Sequence, residues 1–270
     1  MDWTSADQTA RDLAYNNRAA VPACEPLLAR WEAESAAFRA ARPQHLDLAY
    51  GPRPRNKWDL YPASEANAPC LVFIHGGYWQ RNGRESFACC MEGAMARGWS
   101  TALPGYTLAP DASISEIAAE TKSALDWLAA NRAAHGITGK VVLSGWSAGG
   151  HLAALLADHP VVHAALSISG IFDLNRIRDT YLNAALQLTD QDIASCSPQF
   201  ALPSRRICTA WGSVELPELV RQSQDFAAAR AKAGLPGGAL AVAGANHFTI
   251  MESLRHRQGP LLSAAAALLG

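Results

Sequence analysis

The residues best suited to chemistry are Gly145 to Gly149, which read Gly-Trp-Ser-Ala-Gly. They follow an apolar run, Lys140 to Ser144, and precede a helix-like segment, His151 to Leu156, so they predict a sharp turn between a strand and a helix. Glycines two residues on either side of Ser147 leave room for the strained backbone of such a turn. The pattern therefore predicts Ser147 as a nucleophile raised above the sheet edge.

A serine hydroxyl becomes a good nucleophile only when an imidazole takes its proton and a carboxylate orients that imidazole. In a sheet of this type the partners follow later strands, in the chain order serine, acid, histidine. His247 comes directly after the last predicted strand and is the predicted base. The identity of the acid stays open among three residues. Glu215 is preferred because it follows its strand soonest, and Asp173 is the rival. Glu218 lies in the predicted first turn of a helix, where the helix dipole alone favours a carboxylate.

Acyl transfer also needs N–H groups aimed at the developing oxyanion. The amide of Ala148 is one predicted donor, because it follows the nucleophile at the start of a helix. The segment His75 to Trp79 follows another apolar strand and contains Gly76 and Gly77. We predict that this segment supplies the second donor, with Gly77 as the first choice.

Strands and helices alternate after an opening hairpin at 46–50 and 57–61, and residues 1–42 predict a helical arm. The segment 171–204 breaks the alternation and is the candidate for a small cap over the site. The pattern predicts one α/β domain over residues 1–270, with a mostly parallel sheet and helices on both faces. The later strands are predicted near 70–75, 99–103, 140–144, 164–169, 205–210 and 239–243, and the helices near 84–97, 113–133, 148–158, 216–233 and 249–268.

Composition excludes several classes of protein. The formal net charge is −1, from 23 basic and 24 acidic residues, and no basic stripe is present, which argues against nucleic acid. The acidic N-terminus resembles no export signal and the apolar runs are too short for a membrane span, so we expect a cytoplasmic protein. The six cysteines form no Cys-x-x-Cys pair, and we expect buried, reduced thiols rather than disulfides or zinc ligands.

Taken together, these motifs resemble the α/β-hydrolase superfamily and, within it, the serine-dependent kynurenine formamidases (arylformamidases). The resemblance covers nearly the whole chain. Where that family usually has aspartate as its acid, this chain has Glu215. The matching segments are His75 to Trp79, Gly145 to Gly150, Tyr15 to Arg18, Ser169 to Leu174, Ser197-Pro198, Pro217-Glu218 with Arg221 to Ser223, and Asn246 to Phe248.

The resemblance implies hydrolysis of N-formyl-L-kynurenine to L-kynurenine and formate, without a metal or another cofactor. The alternative is a carboxylesterase of broad range that acts on short-chain or aryl esters. Either way the expected partner is a small aromatic amide or ester, and we allow for a homodimer. Specificity is expected from rings that could stack on the substrate, namely Tyr78, Trp79, Trp146 and Tyr181.

Overall fold

The computed structural model describes residues 2–270, and an eight-stranded sheet is its frame. The strands are β1 (Leu48–Ala49), β2 (Lys57–Tyr61), β3 (Cys70–Ile74), β4 (Ser100–Pro104), β5 (Val141–Trp146), β6 (Val162–Ile168), β7 (Ile207–Gly212) and β8 (Gly237–Val242). Their spatial order is β1-β2-β4-β3-β5-β6-β7-β8. The pairs β1–β2 and β2–β4 are antiparallel, and the others are parallel. The predicted hairpin and mostly parallel sheet are confirmed.

Helices cover both faces of this sheet. They are α1 (Gln8–Leu13), α2 (Asn17–Ala20), α3 (Cys24–Ala40), α4 (Glu92–Ala96), α5 (Ile114–Asn131), α6 (Ala148–Leu155), α7 (Asn175–Arg178), α8 (Asn183–Leu186), α9 (Asp190–Cys196), α10 (Pro217–Lys232), α11 (Glu252–Arg255) and α12 (Pro260–Ala267). The sequence marks several of these starts. Ser113 and Glu116 form a reciprocal capping box at the start of α5, and proline occupies the first turn of α10 and α12. No helix within residues 2–270 combines the length and apolar character that crossing a membrane requires.

The central strands are apolar on both sides because each face has its own core. Along β3, Val72 and Ile74 pack into the cluster that includes α5, α6 and α10, whereas Leu71 and Phe73 pack into the cluster that includes α3 and α12. This is the strand pattern expected of a parallel sheet covered by helices on both faces. All six cysteines are buried and unpaired, as predicted.

Two predicted helices are interrupted. The segment predicted as a helix over 84–97 begins as a 3₁₀ helix, Arg84–Met91, before α4. There the amide of Cys89 donates to Ser35 Oγ at 3.1 Å, so it is not free for a regular α-helical bond. The segment predicted as a helix over 249–268 is broken after α11. Gly259 packs closely there, since a Cβ on it would lie 1.8 Å from the Ser253 carbonyl oxygen. Pro260 then starts α12.

Candidate active site

Ser147 lies in the turn between β5 and α6. Its backbone has φ 59° and ψ −118°, a conformation that non-glycine residues rarely adopt and that costs of order 1–3 kcal/mol. The flanking glycines are required by space, because a Cβ on Gly145 would lie 2.1 Å from the Gly149 carbonyl oxygen, and one on Gly149 would lie 2.0 Å from that of Ile74. The turn therefore holds a strained serine at the end of a central strand, where its side chain lines a surface cavity.

His247 and Glu215 meet beyond the ends of β8 and β7. His247 Nδ1 is 2.9 Å from Glu215 Oε2, and both side chains are buried. The other carboxylate oxygen, Oε1, accepts from Ser169 Oγ at 2.6 Å and from the Gly212 amide at 2.5 Å. An ionised carboxylate held this way places the histidine proton on Nδ1 and leaves Nε2 free to act as a base.

The two alternative acids lie elsewhere. The Asp173 side chain accepts from the backbone and side-chain nitrogens of Asn175 at 2.9 and 3.0 Å, so it is engaged in a local turn. Glu218 accepts from Tyr15 Oη at 3.0 Å and forms ion pairs with Arg176 and Arg221 at 2.7 and 2.6 Å. The structure therefore brings only the preferred candidate, Glu215, to the imidazole.

Ser147 and His247 line the same cavity. Across residues 2–270 no hydrogen bond connects the two side chains, which is common before a substrate is bound, because catalytic hydrogen bonds often tighten only in the complex. The indole of Trp146 donates to the His247 carbonyl at 2.8 Å, which couples the histidine loop to the strand that carries the serine. The arrangement is that of a serine, a histidine and a glutamate from three separate loops.

Residues 75–82, which we call the glycine loop, lie against the Ser147 turn. A Cβ on Gly76 would lie 2.7 Å from the Trp146 carbonyl oxygen and 3.0 Å from Ser147 Cβ. Gly77 has φ +121°, a conformation that favours glycine. Within residues 2–270 the amides of Gly77 and Ala148 have no hydrogen-bond acceptor. Two free N–H groups beside the serine are what an oxyanion requires.

His75 holds this loop in place. Its ring stacks on Tyr106 with centroids 4.3 Å apart, its Nδ1 lies 2.9 Å from the Gly76 carbonyl oxygen, and Tyr106 Oη donates to the His75 carbonyl at 2.9 Å. Burial lowers the pKa of His75 to about 3, so the ring is neutral at physiological pH. Because these contacts hold a neutral ring against Gly76 and Tyr106, we interpret His75 as a residue that positions the glycine loop.

The four aromatic residues predicted to bind substrate separate into two groups. Tyr78, Trp146 and Tyr181 line the cavity with Ser147. Trp79 is fully buried and packs edge-on against His151, with ring centroids 5.0 Å apart. Tyr78 and Trp79 both have positive φ values, 52° and 58°, and their side chains point to different surroundings. Tyr78 lines the cavity, whereas Trp79 does not.

Several residues of the cavity wall are not predictable as site residues from the sequence motifs. Three of them, Asn16, Asn17 and Arg18, come from the N-terminal arm, within a segment that was noted only for its family resemblance. Long-range contacts bring them there. The preceding residue, Tyr15, is hydrogen-bonded through its hydroxyl to Glu218 and Gln222 near the start of α10. The remaining additions are Leu28, Arg81, Asn82 and Phe248.

His151 lies behind the site, where it connects α6 to the segment 171–204. Its Nε2 is 2.6 Å from the Cys196 carbonyl oxygen, and burial lowers its pKa to about 4. Because an unfolded chain binds a proton here near pH 6.5 and the folded chain does not, acidification from pH 6.5 towards 4 lowers the free energy of unfolding. We expect His151→Gln to remove up to about 1.4 kcal/mol per pH unit from that slope.

Urea unfolding of the wild type and of His151→Gln at pH 7, 6 and 5 measures this contribution. His256→Gln is the matched control, since His256 is exposed, and it should keep the wild-type slope. Equal slopes for wild type and His151→Gln would contradict the expectation.

The polar residues do not form a metal centre: in the part of the chain that the structure describes, no three His, Cys, Asp or Glu side chains are grouped so as to hold a metal ion.

Known proteins share sequence features with this chain. The BD-FAE family model matches residues 58–188, a range that includes the glycine loop and Ser147. A kynurenine formamidase of Danio rerio is 28% identical over 230 residues, which cover 77% of this chain and 76% of that protein. Esterase LipQ of Mycobacterium tuberculosis is 29% identical over 161 residues, which cover 51% of this chain and 38% of LipQ.

Solved structures share the fold. A proposed thioesterase from Silicibacter sp. TM1040 has a TM-score of 0.84 at 28% identity and covers 94% of this chain and 98% of its own. An esterase of Pyrobaculum calidifontis has a TM-score of 0.71 at 19% identity, covering 90% of this chain and 92% of its own. The chain has the α/β-hydrolase fold. Its sequence is similar to kynurenine formamidases over most of its length, as its motifs indicated.

Proposed function

We propose that the protein is a serine hydrolase that cleaves N-formyl-L-kynurenine to L-kynurenine and formate. The observation that carries this proposal is the buried Glu215–His247 pair, with Nδ1 and Oε2 2.9 Å apart, whose histidine lines the same cavity as the strained Ser147. The similarity to kynurenine formamidases over most of the chain supports the choice of substrate. The segment 171–204, which contributes Tyr181 to the cavity, is proposed as a small cap.

In the proposed mechanism His247 Nε2 takes the hydroxyl proton as Ser147 Oγ attacks the formyl carbon. The oxyanion is held by the amides of Gly77 and Ala148, and each such donor is worth a few kcal/mol in the transition state. His247 then returns the proton to the departing arylamine, and the C–N bond breaks. Water, deprotonated by the same imidazole, releases formate from the acyl-serine.

The small formyl group accords with the tight packing against the Ser147 turn. Gly76 packs against the Ser147 turn with no room for a side chain, and Trp146 and Phe248 line the cavity beside the serine. Tyr78 and Tyr181 offer rings to an aromatic leaving group. A substrate with a minimal acyl group and an aromatic amine fits a cavity with these lining residues.

A carboxylesterase of broad range is the second candidate, and the similarity to Esterase LipQ favours it. The two are distinguished by kcat/KM for N-formyl-L-kynurenine and for p-nitrophenyl acetate, followed by formate release and by nitrophenolate absorbance. We expect the formamide to be the better substrate. A ratio that favours the activated ester by orders of magnitude would replace the proposal with the carboxylesterase.

A further inference from the structure

The charged groups around the cavity are of one sign. Arg18 and Arg81 both line it, and no aspartate or glutamate does. Arg18 has a partner outside the lining, since its Nη1 lies 3.0 Å from Glu25 Oε1 with both side chains exposed. Arg81 is exposed and forms no ion pair with a carboxylate anywhere in residues 2–270. The cavity lining thus includes an arginine whose guanidinium pairs with no carboxylate of residues 2–270.

The two arginines act on one region of the wall. Burial raises the pKa of the Tyr181 phenol, and the positive charges of Arg81 and Arg18 oppose that shift. The nearby carboxylate of Asp12 is already engaged, because it accepts from the Tyr181 amide at 2.7 Å and from Gln8 Nε2 at 2.8 Å. Asp12 forms no ion pair with Arg81 within residues 2–270.

A second feature of the same wall is an acceptor without a donor. Tyr78 Oη donates its one proton to the Tyr15 carbonyl at 2.6 Å, so it must accept from Asn17, whose Nδ2 lies 3.0 Å away. This fixes the orientation of the Asn17 amide. Asn17 is 4% exposed, and its Oδ1 is buried with no hydrogen-bond partner among residues 2–270. A buried carbonyl oxygen in this state costs free energy until a donor reaches it.

We propose that this wall is a subsite for an α-amino-acid group, in which Arg81 binds the carboxylate and Asn17 Oδ1 accepts a hydrogen bond from the ammonium. The proposal rests on the proposed function, because it assigns the amino-acid end of the leaving group to these residues. A guanidinium and a carbonyl oxygen are complementary to the two charges of that group. The pairing predicts selection for a zwitterionic leaving group over a neutral one.

The Arg81 part is tested with N-formyl-L-kynurenine and its decarboxylated analogue, N-formylkynuramine. Wild type should prefer the carboxylate substrate in kcat/KM by roughly tenfold, mostly through KM. Arg81→Gln should lose this preference and Arg81→Lys should keep most of it. Arg257→Gln is the matched control, because Arg257 is exposed and lies outside the cavity lining. An unchanged preference in Arg81→Gln would overturn the assignment.

The Asn17 part is tested with the desamino analogue, which keeps the carboxylate and lacks the ammonium. Wild type should show a several-fold higher KM for this analogue than for N-formyl-L-kynurenine, and Asn17→Ala should remove the difference. Equal KM values in wild type would refute the role of Asn17. Circular dichroism of Asn17→Ala establishes that the variant is folded before the comparison is made.

Failure of the subsite can be told apart from failure of the proposed function. If wild type does not release formate from any formamide, the proposed function fails, and the charge preference is then measured with esters. The pair is 3-(4-acetoxyphenyl)propionate, which is anionic, and 4-ethylphenyl acetate, which is neutral. A preference for the anionic ester that Arg81→Gln abolishes supports the carboxylate subsite, and no preference in wild type rejects it.

Discussion

Ser147→Ala is expected to lower kcat for N-formyl-L-kynurenine by roughly 10⁵-fold or more, because it removes the atom that forms the acyl-enzyme. The turn itself should survive, since its shape depends on Gly145 and Gly149 and on the bond from the Ser147 amide to the Ile168 carbonyl at 2.8 Å. The measurement is formate release, with thermal unfolding as the check on folding.

A matched control lies on the same strand. Ser144 Oγ donates to the Val72 carbonyl at 2.7 Å and is fully buried, so Ser144→Ala should alter stability while leaving most of the turnover. A fluorophosphonate probe should label wild type and Ser144→Ala but not Ser147→Ala. Formate release at the wild-type rate by Ser147→Ala would remove this residue from the mechanism.

Glu215→Gln should lower kcat by about 10³- to 10⁴-fold, because a neutral amide neither fixes the Nδ1 proton nor stabilises the imidazolium. The replacement is nearly isosteric, so its Oε1 could still accept from Ser169 and Gly212. Stability should therefore change much less than turnover. Steady-state kinetics together with urea unfolding separates the two effects.

The rival acids supply the comparison. Asp173→Asn should retain near-wild-type turnover, since Asp173 contacts Asn175 and not the imidazole. Glu218→Gln should weaken the contacts to Tyr15 and Arg176 and so lower stability more than kcat. If Asp173→Asn or Glu218→Gln lost as much turnover as Glu215→Gln, the assignment of the acid would be wrong.

Glu215 also shows how a longer side chain occupies the position of a usual aspartate. Its extra methylene is accommodated while one oxygen reaches His247 and the other is fixed by Ser169 and Gly212. Ser169 itself has φ 49°, an uncommon conformation for a serine. Glu215→Asp would shorten the side chain inside a loop that is arranged for glutamate.

The sequence predicts the features that depend on local structure. The strand, the Ser147 turn and the following helix are specified by neighbouring residues, and so is the glycine loop. Local sequence does not determine which acid contacts the histidine. Glu215 and Glu218 are three residues apart, and only the folded loop shows that Glu215 reaches His247.

The walls of the cavity could not be predicted in the same way. Trp79 follows Tyr78 directly, yet one is in the core and the other lines the cavity, because two positive φ values turn the chain between them. Asn17 reaches the cavity through a contact with a residue more than 60 positions later, Tyr78. Neither periodicity nor spacing contains that information.

The attachment of the N-terminal arm has an evolutionary consequence. Residues 16–18 form part of the cavity wall, whereas the nucleophile, the base and the acid all follow β5 in the chain. A short stretch that precedes the first strand could therefore diversify, by substitution or by exchange between homologous genes, without disturbing the reactive groups. Residues 16–18 of the proposed leaving-group wall thus lie in a part of the chain separate from Ser147, Glu215 and His247, whereas Tyr78 and Arg81 share their loop with Gly77.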